Sequence, residues 1–213
     1  MAALDDLLDR YVDAGMLAAG FRRSGRRYEL DGDNTILVEF TQKQLPAAVS
    51  FFVEWSVIPR ASRDFHHEVL GLDPAEPEVL WGIVAGRVRV PEDRPHLFAA
   101  VSNWWSLPSP GGIEEGGTVL RTVLSTRFIP WWTGLTGADR LLGAYERNEF
   151  NFELNLGIVH TTPAAWPARY VAVHIDDGDI HQLRAMVAKV VDSGRDADWV
   201  EWWTRRLDRR EGR

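Results

Sequence analysis

Between Val49 and Val57 the chain alternates. Val49, Phe51, Val53, Trp55 and Val57 fall on one side of an extended backbone, with Ser50, Glu54 and Ser56 on the other. Successive side chains of a strand point to opposite faces, so a period of two predicts a strand with one buried face. A similar run, Ile36, Val38 and Phe40 interleaved with Thr35, Glu39 and Thr41, follows "RRYEL" across the turn "DGDN". Turn residues between two such runs predict an antiparallel hairpin. "LWGIVAGRVRV", residues 80–90, reads as a fourth strand whose glycines mark bulges.

Elsewhere the period is helical. Leu4, Leu7, Leu8, Tyr11 and Val12 recur at helical spacing, with Asp5 and Asp6 in a first turn, and predict a helix over 4–19 that Gly20 stops. Residues 61–78 read as a polar connection and 94–106 as a short helix. "SLPSPGGIEEGG", 106–117, reads as a hinge. A stripe of Leu120, Val123, Leu124 and Trp131 predicts a further helix with a kink at Pro130. Helices follow over 138–148, 166–176, 180–193 and 196–210. Strands in the first half and helices in the second predict an α+β fold. Its sheet has about four antiparallel strands and an N-terminal helix within residues 1–108. A mainly helical portion, 109–213, packs on that sheet as one continuous domain.

The stretch "GFRRSGRRY", with Gly20, Phe21, Arg22, Arg23, Gly25 and Tyr28, and then Phe40 and Gln42 of "VEFTQ", resembles the bacterial group called domain of unknown function 4304. The resemblance covers about the first two-thirds of the chain. It implies an antiparallel sheet with helices on one side, and it carries no established chemistry.

Composition narrows the function classes. The 213 residues include 45% hydrophobic and 26% charged residues, ordinary values for a globular protein. No apolar run is long enough to cross a bilayer. "MAALDDLLDRYV" places acids where an export signal carries positive charge, which predicts a cytoplasmic address. With no cysteine, thiolate metal sites and Cys nucleophiles are excluded. A net charge of −7 argues against broad nucleic-acid binding. Lys43 and Lys189 are the two lysines among 24 basic residues, a bias that points to GC-rich bacterial coding. Nucleophile elbows, phosphate-binding glycine loops and zinc-protease motifs are absent, so no cofactor is expected.

Four constellations could still carry chemistry. In "HIDDGDIH", His174, Asp177 and His181 offer nitrogen and oxygen donors of the kind that bind zinc or iron. The simpler reading makes Asp179 a helix N-cap in a turn between two helices, with no metal. His66 and His67, placed on the polar connection, could act as general bases. Arg22, Arg23, Arg26 and Arg27 could receive carboxylate or phosphate, or form a charge mosaic with Glu29, Asp31 and Asp33. Last come ten tryptophans, six of them in the pairs Trp104-Trp105, Trp131-Trp132 and Trp202-Trp203. Trp199, Trp202, Trp203 and Leu207 form a helical packing stripe, whereas Trp104 and Trp105 beside the hinge suit a binding surface.

Two functions follow. The first is a non-catalytic partner-binding protein, such as an immunity or accessory protein of a toxin or conflict system, engaging a basic protein. The alternative is a small-molecule enzyme or ligand carrier. Trp55, Trp81 and Trp104 would line its pocket between sheet and helices, with Glu54, His66, His67 and the arginines as its working groups.

Overall fold

The computed structural model describes residues 2–45, 48–99, 104–108, 111–147, 149–152, 166–192, 194 and 197–212. The first segment forms α1 (Ala2–Tyr11) and α2 (Asp13–Ala18). They end at Gly20, whose φ of 93° lies in the left-handed region that glycine enters without penalty. Then come β1 (Arg22–Ser24), β2 (Arg27–Leu30), β3 (Asn34–Leu45) and β4 (Ala48–Pro59). The two alternating runs are thus the two longest strands, paired antiparallel from Asn34↔Pro59 to Leu45↔Ala48.

Beyond β4 the predicted polar connection is instead a helix, α3 (Arg60–Leu70). Ala61, Ser62 and Phe65 give it a buried face, and Gly71, at φ 68°, ends it. One apolar anchor among Arg, Asp and His hides this stripe from a hydrophobicity reading. The expected fourth strand contracts to β5 (Val84–Arg87), preceded by a 3-10 turn at Val79–Trp81. The short helix expected over 94–106 is also corrected: a 3-10 turn at Pro95–Leu97 leads to strands β6 (Phe98–Ala99) and β7 (Trp104–Pro108). Likewise, the hinge expected over 106–117 is the end of β7 and the start of α4 (Gly111–Val123).

The sheet therefore exceeds the four strands expected. Its main path runs β1-β2-β3-β4-β7-β6, and β5 also pairs with β4. β7 occupies the start of that edge of β4, at Ala48–Phe51, and β5 its end, at Glu54–Val57. Every pairing is antiparallel.

Helices complete the chain: α5 (Ile129–Leu135), α6 (Ala138–Glu146), α7 (Glu149–Phe152), α8 (Trp166–His174), α9 (Ile180–Asp192) and α10 (Ala197–Arg210). Between α4 and α5 the chain winds as a π-helix over Leu124–Phe128. Pro130, lacking an N–H, cannot donate to the carbonyl four residues back, so the looser winding falls where the kink was predicted.

One face of the sheet, bearing Tyr28, Ile36, Val38, Phe40, Phe51, Val53, Trp55, Val57, Trp105 and Leu107, joins Leu4, Leu8, Leu120, Phe128 and Trp132 from the helices in a single core. Residues on both sides of position 108 contribute. A small second cluster, Leu37, Ile58 and Trp81, sits on the opposite face.

Candidate functional site

Adjacent tryptophans part company wherever they lie on a strand. Trp105, fully buried, stacks on Phe51 at 6.1 Å and donates its Nε1–H to the carbonyl of Val88 at 2.9 Å. Trp104 faces the other side of the sheet, edge-on to Phe52 at 4.6 Å. Only Trp104 of this pair is therefore available to a surface. Trp55 is fully buried beneath Trp131 and Trp132, and Trp81 is buried in the small cluster on the opposite face. The pocket expected from Trp55, Trp81 and Trp104 is not formed, because the sheet itself lies between the first and the other two. Trp199, Trp202, Trp203 and Leu207 are buried along α10, as the stripe predicted.

The outer face of the sheet carries Arg27 and Glu29 of β2, Glu39, Thr41 and Lys43 of β3, Phe52 and Glu54 of β4, Arg87 of β5 and Trp104 of β7. Arg87 binds Glu54 at 2.7 Å while its guanidinium lies 4.0 Å from the centroid of Phe52. Lys43 stands 5.4 Å from the Trp104 ring. Toward the β1 edge lies an open cleft of about 740 Å³, lined by Arg22, Arg23, Arg26, Arg27, Glu29, Glu39, Asp73 and Glu76 among others. Its arginines already have partners. Arg22 binds Asp31, Arg23 binds Asp9 and Asp13, Arg26 binds Asp5, and Arg27 approaches Glu39 at 3.8 Å. The hydrogen bond from Arg26 holds the Asp5 carboxyl below its usual range. Burial, aided by a hydrogen bond to Asp13, pushes the Tyr28 hydroxyl well above its own. This is a charge mosaic that pins β1 to α1 and α2.

His66 and His67 lie on α3, not on a loop. His66 stacks on Trp81 with centroids 4.6 Å apart, and its Nδ1 meets the Ser62 carbonyl at 2.7 Å. Burial lowers its pKa and keeps the ring neutral. It packs between Trp81 and Trp199. His67 is exposed and turns away, its Nδ1 meeting the Leu72 carbonyl at 3.0 Å.

In "HIDDGDIH" each carboxylate has a separate employment. Asp176 receives Arg206 at 2.5 Å, and Asp179 accepts from the Gln182 amide at 2.8 Å as the N-cap of α9. His174 meets Asp177 at 3.4 Å, while His181 stands exposed at the start of α9. No three possible metal-ligating side chains come together among the described residues.

One concavity escaped the sequence reading. α6 and α8 pack side by side, and a groove of about 420 Å³ between them is lined by Asp139, Leu142, Glu146, Trp166, Tyr170 and His174, with Asp177 at one end. Trp166, Tyr170 and His174 recur every four residues, the spacing that stacks side chains on one helix face. That spacing was visible, but in a chain rich in tryptophan it reads as one more core stripe. No helix among the described residues is long and apolar enough to cross a membrane. Comparison with models of known families, with curated proteins and with solved structures gives no significant match.

Proposed function

We propose that this chain is a non-catalytic partner-binding protein whose acidic surface engages a basic protein, as an immunity or accessory protein of a toxin or conflict system does. The observation that supports this reading most is the disposition of charge. The densest arginine group is taken up by internal carboxylates. Other guanidinium groups bind helix to helix, as Arg184 does to Asp208 and Glu211, and Arg206 to Asp64 and Asp176. By contrast Asp6, Glu76, Glu92, Glu114, Asp139 and Glu146 stand exposed, with no ion pair among the described residues. Arg10, Lys43, Arg60, Arg121 and Lys189 are also exposed without an ion pair among the described residues, so the net charge of −7 reaches the surface as an excess of carboxylate over cation. Such a surface accelerates encounter with a basic partner and repels acidic ones.

Size-exclusion chromatography with the products of the flanking genes tests the reading. Co-elution with a basic product at low salt, weakened as salt rises, is the expected result. Failure of every such product to co-elute counts against it.

A further inference from the structure

We infer that the groove between α6 and α8 receives an arginine side chain from the basic protein partner; this rests on the partner-binding reading and names the chemistry of its contact. Exposed carboxylates occur all over this molecule, so Asp139 and Glu146 alone would not distinguish the place. The aromatic wall does.

Trp166, at 36%, is the most exposed of the ten tryptophans. Its ring lies 6.1 Å from that of Tyr170, which in turn lies 4.9 Å from His174. A neighbouring guanidinium already uses the same chemistry one turn away: Arg169 stands 4.2 Å from the Tyr145 ring and ties α8 to α6. On the facing wall Asp139, Leu142, Gly143 and Glu146 share one face of α6 at spacings of three and four.

The groove thus offers aromatic faces on one side and carboxylates without counter-ions on the other, in a volume of about 420 Å³. A planar guanidinium satisfies both walls, stacking on a ring while donating from its edge to carboxylate. A lysine ammonium can face a ring but has no plane to stack and no fork to present to the acids. An anionic or purely apolar ligand would leave Asp139 and Glu146 desolvated without compensation.

The test uses the full chain and three defined probes, N-acetyl-arginine amide, N-acetyl-lysine amide and N-acetyl-glutamine amide. The indole N–H signal of Trp166 is followed by NMR and assigned through its disappearance in Trp166→Phe. The arginine probe should shift that signal saturably with a millimolar Kd, about threefold or more tighter than the lysine probe, and the glutamine probe should not shift it. Asp139→Asn with Glu146→Gln should weaken the arginine probe about fivefold or more, whereas Asp6→Asn, outside the groove, should not change it. No saturation below about 50 mM, equal binding of the lysine probe, or insensitivity to the double variant overturns the inference. If the groove fails this test while a basic partner still co-elutes, the contact lies elsewhere and the partner reading stands. If the groove saturates but no partner co-elutes, the partner reading falls and with it the protein source of the arginine, while the guanidinium site itself stands.

Discussion

At the scale of single residues, the paired tryptophans illustrate how geometry divides neighbours of identical chemistry. On β7 consecutive side chains point to opposite faces, so Trp105 enters the core and Trp104 leaves it. Truncating them should separate the two: Trp105→Ala is expected to cost about 3–5 kcal/mol, and Trp104→Ala about 1–2 kcal/mol, by urea denaturation. Similar costs would mean that the face assignment is wrong. Ionisable residues make a second test. Arg140 and Arg147, with the Trp131 indole, hold the Glu149 carboxyl down to about 2. Because the folded value is depressed, its contribution is fully present above the unfolded value near 4.5 and disappears as pH falls toward 2. Thermal melts of Glu149→Gln should therefore converge on the wild type in acid and lie below it at neutral pH. His66 is also depressed, here by burial, so its neutral form stabilises the fold above about 6.5 and the benefit declines as pH falls below that. His66→Gln should flatten that part of the stability profile.

At the scale of elements, the order of strands and helices follows the period of the apolar residues closely where that period is long. β3, β4, α9 and α10 lie within a residue or two of their expected spans, apart from the three-residue extension that closes the β3–β4 hairpin. Expectation failed where a short element draws its support from distant partners. α3 presents Phe65 as its large anchor, against Trp199 at 3.7 Å, a contact 134 positions along the chain that no local window contains. The edge strands β1 and β6, and β7 between β4 and β6, are only two to five residues long, too short for alternation to show. Two elements lend themselves to perturbation. Arg206 of α10 reaches Asp64 of α3 at 2.7 Å and Asp176 after α8 at 2.5 Å, with its side chain 17% exposed. Arg206→Ala leaves those carboxylates facing one another and should cost about 2–3 kcal/mol, with hydrogen exchange rising first in α10. In α4, alanine would ordinarily be preferred to glycine by about 1 kcal/mol. A Cβ at Gly117, however, would collide with the Tyr11 ring of α1, so Gly117→Ala should lower the melting temperature.

At the scale of the whole molecule, the α+β class could be read from the chain because the strand periods all lie before about position 108 and helical period alone follows. The candidate groove could not. Trp166, Tyr170 and His174 lie on α8 and their acidic counterparts on α6, joined by a folded contact rather than by a motif. The arginine cluster was visible as a cluster, but its neutralisation by Asp5, Asp9 and Asp13 depends on how α1 and α2 lie against β1. That neutralisation turns a basic-looking stretch into scaffold and leaves carboxylate in excess at the surface. Native mass spectrometry of the protein recovered from its own cells tests this most directly. A stoichiometric complex with a basic protein, dissociating as the salt of the preparation is raised, is the expected result. Recovery of the chain alone with a small-molecule adduct, or in a salt-insensitive complex with an acidic protein, would contradict it.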